Sequence, residues 1–245
     1  MASTGAAALP RVRPRPIRGA TYNCLRDRNP GRVARWVRAL MVNKQLGFVL
    51  IQEGHDYRDE LARLPGCHVI SPIGGHHETL ILVDLAVVTV SDPGRVPLEA
   101  MGWETVRGGR AWPRTMATCD LDGWLTVGSV HLPPSVSWHG GRMDGPPARV
   151  RAYRRCSRTL TRWIGRRRGP VLVGGDWNEP ADTRGRWSPR WVANHTGAHI
   201  WTTGGIDYVM GDRVKVTGVH NVADRGGSDH HARVFTVHPP PNQSW

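Results

Sequence analysis

Lysine is almost absent: Lys44 and Lys215 are the only two in 245 residues, so nearly all of the 33 basic side chains are arginine. That bias fits a GC-rich genome as readily as selection for guanidinium chemistry. Cysteine is equally sparse. Cys24, Cys67, Cys119 and Cys156 lie far apart with no CxxC pair, which excludes a zinc ribbon, a dithiol redox motif and a disulfide scaffold. Buried free thiols in a reducing compartment remain. No apolar run approaches the ~18–20 residues that cross a bilayer, so no integral membrane association is expected. Met1–Leu9 has no basic segment ahead of its Ala-rich stretch and makes a poor signal peptide. Pro10, Pro14 and Pro16 break the amphipathic helix of a transit peptide. These absences lead to the expectation of a cytoplasmic monomer.

Acid is scarce too. Twenty Asp and Glu against 33 Lys and Arg leave a net charge of +13, which favours polyanionic partners, nucleic acid first and anionic membrane second. The chain is 39% hydrophobic and holds eleven Trp, enough for a core, so a disordered polypeptide is excluded.

Residues 1–18 read as a disordered Arg/Pro-rich arm, 19–238 as one domain and 239–245 as a Pro-rich tail. The body mixes strand-like and helix-like runs. Gly19–Leu25 reads as a strand. Asn29-Pro30 reads as an N-cap with Pro in the first turn, opening a helix that Gly47 is placed to end. FVLIQ (48–52) is a buried strand, Cys67–Ser71 another and Thr79–Val90 a single long one, with 91–112 a loop containing a hairpin turn. Thr115–Cys119 and Trp124–His131 flank a turn as a hairpin, and 135–147 is a Gly/Pro loop. Val150, Tyr153, Cys156, Leu160, Trp163 and Ile164 share one face of a helix over 148–165. Pro170–Gly174, Tyr208–Met210 and Arg233–His238 are further strands. Strands outnumber helices, which suggests a two-layer β-sandwich with helices outside.

Polar residues stand at the ends of these strands: Asn23, Glu53, His131, Asp176 with Asn178, Asp207, and Asp229 with His230. A strand-end Asp or Asn is commonly a turn former. As a set, however, these supply carboxylates, amides and two imidazoles, held rigidly and facing a cleft, which is how catalytic groups are mounted. Trp177, between Asp176 and Asn178, is the best of the tryptophans for stacking a substrate in that cleft.

The ordered series YN, QE, a strand-end HL, GDWN, IDYV and SDHH resembles the endonuclease/exonuclease/phosphatase superfamily, the DNase I-like fold, from about Gly19 to His238. The resemblance implies a four-layer α/β-sandwich, with two packed mixed β-sheets flanked by helices, and phosphoester hydrolysis dependent on Mg²⁺, with Mn²⁺ as a substitute. It implies Glu53 as the main metal ligand with Asn23 and Asp229. Asp176 and Asn178 would position water and phosphate, and Asp229 would pair with His230. Asp207 would orient a catalytic histidine or sit near the metal. Glu78 would partner His131, and Arg114 would contact phosphate. Leu25 stands where exonuclease-III-like members often carry Asp or Asn, and His131 where abasic-site enzymes carry Tyr, which argues against abasic-site repair. The expected function is a nuclease acting on DNA, with RNA as a further substrate, to give 5′-phosphate and 3′-hydroxyl ends. The alternatives are a phosphatase or phosphodiesterase on inositol phosphates or lipid headgroups, and a non-catalytic nucleic-acid-binding protein on the same fold. Nine Arg between 149 and 168, with no acid among them, remain outside this scheme.

Overall fold

Parallel neighbours in a sheet need a crossover, and helices supply it twice. The computed structural model describes residues 14–25, 29–71, 78–99, 103–104, 110–111, 113–134, 136–139 and 142–241. In chain order its elements are β1 (Ile17–Asn23), α1 (Pro30–Lys44), β2 (Phe48–Gln52), α2 (Arg58–Ala62), β3 (Cys67–Ile70), β4 (Thr79–Asp84), β5 (Val90–Glu99), β6 (Trp103–Glu104), β7 (Arg110–Ala111), β8 (Arg114–Leu121), β9 (Leu125–His131), β10 (Ser137–His139), β11 (Arg142–Asp144), α3 (Pro147–Gly165), β12 (Val171–Asp176), α4 (Pro189–Thr196), β13 (His199–Trp201), β14 (Asp207–Asp212), β15 (Lys215–Asn221) and β16 (Arg233–His238). Sheet I has the order β15-β16-β1-β2-β4-β3 and sheet II the order β13-β14-β12-β9-β8-β5. Each contains a parallel pair, β1 with β2 across α1 and β9 with β12 across α3. Both sheets are therefore mixed.

Three apolar layers separate four structural layers. Phe48, Leu50, Ile81, Leu125, Leu172 and Phe235 fill the space between the sheets. Val49 and Ile51, the alternate residues of β2, face Val33, Val37 and Met41 of α1 instead. On sheet II the helix face read from sequence, Tyr153, Cys156, Leu160, Trp163 and Ile164, packs with Val171, Val173 and Met210. A strand covered on both faces reads as an unbroken apolar run, as FVLIQ does. The four-layer α/β-sandwich is the observed fold, and the two packed sheets with helices outside are as the strand and helix pattern suggested. Among the described residues no helix is long and apolar enough to cross a membrane.

Several boundaries differ from the sequence reading. Thr79–Val90 is not one strand: β4 stops at Asp84, whose carboxylate accepts from Ala86 N at 3.0 Å and Arg38 Nη1 at 2.9 Å, and the chain crosses to sheet II. The expected loop 91–112 begins as β5, an edge strand where Pro93 and Pro97 are tolerated and the register shifts twice. The hairpin expected within it is present as β6 and β7. Gln45, not Gly47, takes the left-handed position that ends α1 (φ 52°), while Asn29 caps its start through Arg32 N as anticipated. Loop 135–147 holds the short β10–β11 hairpin. Ile17 and Arg18 belong to β1 and 14–16 lead into it without regular structure; 1–13 of the expected arm lie outside the described residues, as do 242–245 of the tail.

Candidate active site

The site is assembled at the carboxyl ends of the two parallel pairs. In sheet II, Asp176 lies opposite His131 on β9 and opposite Asp207 on β14. Lateral neighbours in a sheet project to the same face, so one row carries an imidazole and two carboxylates side by side. Gly175, at φ 153°, makes this possible: a Cβ there would fall 1.9 Å from Val130 O, so only glycine lets β9 and β12 approach just before the row. In sheet I, Asn23 and Gln52 are opposed at the ends of β1 and β2. The sheets are joined through them. Asn23 Nδ2 donates to Asp176 Oδ2 at 3.0 Å and to Glu53 Oε1 at 3.3 Å. Gln52 Nε2 donates to Ser129 Oγ at 3.0 Å, and that hydroxyl donates to Ile51 O at 2.8 Å. Glu53 follows with positive φ (55°), which turns its carboxylate out of the strand toward Asn23.

His131 is buried with Nε2 3.7 Å from Asp176 Oδ2 and Nδ1 3.4 Å from Glu78 Oε1. Arg114 Nη1 lies 3.3 Å from Nδ1 and is ion-paired to the same Glu78. With Arg114 as donor, the hydrogen-bond network assigns the ring proton to Nε2, facing Asp176. Burial, then the Arg114 charge, push the His131 pKa down to about 4 against the pull of Asp176 and Glu53. Glu78 thus sits beside His131 as expected but holds it in concert with Arg114. Arg114 itself is buried against Glu78 and does not present its guanidinium as an open phosphate contact.

His230 behaves oppositely. Its Nδ1 donates to Asp207 Oδ2 at 2.7 Å, while Nε2 is 3.6 Å from Asp229 Oδ1. Burial lowers its pKa, but the Asp207 hydrogen bond and the charges of Asp207, Asp176 and Asp229 carry it up to about 9. The expected Asp229–His230 pair is present at Nε2, but the acid that fixes the ring is Asp207, placed as expected to orient a histidine; the Asp229 side chain is 64% exposed against 10% for Asp207. The loop takes this course because Ser228 Oγ accepts from His230 N at 3.0 Å and donates to Asn23 O at 2.7 Å. His231 turns away to Val222 O and Arg225.

Asn178 closes the row from below. Its backbone N–H donates to Asp176 Oδ1 at 2.8 Å and its Nδ2 to Leu132 O at 2.8 Å, so it buttresses Asp176. Trp177 is corrected outright. It is fully buried on the far side of β12, stacked on Tyr208 at 5.2 Å with Nε1 donating to Tyr208 O at 3.2 Å, and it lines no cleft. Sequence reasoning misses Ser129, Ser228 and the rivet made by Gln52. For Ser129 a signal exists: it lies two residues before His131 in an apolar strand, hence on the same face.

One cluster of described residues could hold a cation through His, Cys, Asp or Glu atoms: Asp176, Asp207 and His230, with ligand atoms within 4.8 Å of one another. Asp229 is outside it, and so is Glu53, the expected main ligand, which is linked to the cluster through Asn23. The chemistry of the cluster fits a hard divalent ion. Asp207 Oδ1 is buried without a partner, and burial, together with Asp207, raises the Asp176 pKa against the pull of His131. Two buried carboxylates with a spare oxygen, and Glu53 one amide away, call for positive charge.

The sequence model of the Endonuclease/Exonuclease/phosphatase family matches residues 20–230. Three solved structures share the fold. An endonuclease/exonuclease/phosphatase from Bacteroides vulgatus has a TM-score of 0.67 at 17% identity, covering 92% of this chain and 100% of that one. A mannosyl-6-phosphatase from Bacteroides thetaiotaomicron has 0.65 at 14%, covering 91% and 99%. D. rerio TDP2 complexed with single strand DNA product has 0.61 at 14%, covering 91% and 99%. A comparison with curated sequences gives no match.

Proposed function

The chain belongs to the endonuclease/exonuclease/phosphatase family, whose members are hydrolases acting on phosphoester bonds, and from that premise we propose that it is a divalent-metal-dependent nuclease cutting DNA to 5′-phosphate and 3′-hydroxyl ends. The observation that carries this reading is the convergence on one buried row of two imidazoles held by different partners, His131 by Arg114 and Glu78, His230 by Asp207. Titratable pairs whose surroundings drive their pKa values apart divide acid and base roles. Asp207 fixes His230 through Nδ1 and leaves Nε2 for an attacking water, which it can deprotonate once its own proton has gone. His131, neutral with its proton on Nε2, can donate to an oxygen of the phosphate or to the departing 3′ oxygen. Asn23 keeps Glu53 and Asp176 apart and aligned.

Glu53, Asp176 and Asp207 would hold Mg²⁺ or Mn²⁺; bound there, the ion supplies Lewis-acid charge for the phosphoryl oxygens. Support for nucleic acid as substrate comes from the net charge of +13 and from a DNA product carried by TDP2 on the same fold.

The test is incubation with supercoiled plasmid in Mg²⁺, Mn²⁺ or EDTA. Metal-dependent nicks that DNA ligase seals without end repair are expected. Ends bearing 3′-phosphate, or an intact plasmid alongside release of inorganic phosphate from small esters, would overturn the proposal.

A further inference from the structure

Helix α3 carries its positive charge in a way the helix itself opposes. Arg154, Arg158, Arg162 and Arg166 are four residues apart and all exposed, so they form one ridge with neighbours ~6 Å apart along the axis. Like charges at this spacing destabilise a helix. The first turn of α3 holds no acid and Arg149 and Arg151 stand near it, where the helix dipole disfavours cations. The dipole therefore accounts for arginines in the last turn but not for those that precede it. Among the described residues Glu99 is the single carboxylate paired to an α3 arginine, and it takes Arg155, off the ridge.

The ridge has a middle and an end. At its middle Arg158 lies 5.1 Å from the Trp187 ring, which Arg186 approaches at 4.8 Å from its own loop. At its end opens a cavity of about 390 Å³ lined by Val96, Thr159, Arg162, Trp163, Arg166 and Arg167. Arg167 covers the Trp163 ring at 4.5 Å, and the buried Trp163 indole N–H has no acceptor. Three guanidiniums around one cavity, with the unpaired Trp163 N–H on its lining residue, offer donors for an anionic oxygen, while the Thr159 hydroxyl is already turned to Leu98 O at 3.5 Å.

Topology says where this surface lies. α3 carries the chain from the end of β9, at His131, back to the start of β12, so the helix runs about 28 Å from near the catalytic rim to the opposite one, and the ridge from Arg154 to Arg166 occupies about 18 Å of it, over its middle and far end. We propose that the outer face of α3 is a second nucleic-acid contact surface, on which successive phosphates of a strand outside the cleft lie along Arg154, Arg158, Arg162 and Arg166, one of them entering the cavity beside Trp163. The inference rests on nucleic acid being the substrate polyanion, but not on cleavage.

Binding is measured in EDTA with full-length protein carrying Glu53→Gln, using labelled 30-nucleotide single-stranded and duplex DNA over a salt series. The triple variant Arg158→Gln, Arg162→Gln, Arg166→Gln should weaken Kd by at least ~10-fold and flatten the log–log salt slope by about 0.9 for each duplex phosphate that is no longer neutralised. Its Tm should not fall, since like-charge repulsion is relieved. The control triple Arg32→Gln, Arg35→Gln, Lys44→Gln removes the same charge from α1 and should leave the slope nearly unchanged. Equal weakening by both triples means a diffuse field and overturns the proposal. So does no effect of the α3 triple, or an effect confined to phosphatidylserine vesicles. In the protein with an intact ridge, bound DNA should also slow phenylglyoxal modification of Arg158, Arg162 and Arg166, read by mass spectrometry; unslowed modification refutes the proposal independently of any variant. Should the plasmid stay uncut while the ridge binds, the nuclease reading falls and this one stands.

Discussion

Replacing Asp207 by Asn isolates the carboxylate's grip on His230. Asn keeps an oxygen that can accept from Nδ1, so the 2.7 Å geometry survives and only charge is removed. In metal-free protein the His230 pKa stands at about 9 although burial lowers it. The folded value lies above the unfolded one, so this group stabilises the fold fully below about pH 6.5 and loses that stabilisation as pH rises through about 9. At roughly 1.4 kcal/mol per pKa unit, the climb from 6.5 to about 9 is worth at most about 3.5 kcal/mol. Partial solvent screening of a side chain 17% exposed brings this to about 2 kcal/mol, in line with a charge-assisted hydrogen bond at ~1.5–3 kcal/mol. The variant should therefore show the His230 ring titrating about two pH units lower by NMR in EDTA. Urea unfolding at pH 7 should show a loss of about 2 kcal/mol that vanishes above pH 9.5. A ring still titrating near 9 in Asp207→Asn would mean that Asp229 or Asp176 holds the proton, and the assignment of Asp207 would be wrong.

Glu53→Gln should cut Mg²⁺-supported turnover at least ~10²-fold with an unchanged circular dichroism spectrum, because charge stabilisation at the transition state is removed; near-normal activity at saturating Mg²⁺ removes Glu53 from the metal site. Trp177→Ala should behave as a core truncation, destabilising by about 3–5 kcal/mol in urea melts; a stable variant with a raised KM for DNA would return Trp177 to the cleft. His131, with a folded pKa near 4 against 6.5 unfolded, favours the fold fully above pH 6.5 and ceases to do so as pH falls toward 4. Metal-free protein should accordingly lose urea stability across that window, and His131→Gln should flatten the loss; identical acid slopes would show that the ring is not held neutral.

Much of the site is legible in the sequence because it obeys strand chemistry. His131, Asp176 and Asp207 are polar residues ending apolar runs, and the sheets deliver them to one row. The choice of partner is not legible. Asp229 adjoins His230 in sequence, but the Ser228 bonds turn the loop so that the imidazole meets Asp207, 23 residues away. Trp177 misleads because its place in the motif conflicts with alternation: Asp176 faces the cleft, so the next residue faces α3. The β4–β5 break hides inside a β-branched run because the side-chain bonds of Asp84 to Ala86 and Arg38, not local propensity, end the strand.

The order in which sheet I is completed bears on how the protein is made. Strand β1 lies between β2 and β16, and its partner β16 begins at Arg233, 210 residues after Asn23. At ~5–20 residues per second the ribosome needs about 10–40 s to cover that stretch. Throughout that time the outer edge of β1 has no mate, and Asp207 and His230 are among the last of the site residues to be added. Both sheets and their docking are needed before the two imidazoles share a carboxylate row. Translation itself thus withholds competence: the site can close only once the last strand of sheet I has been made.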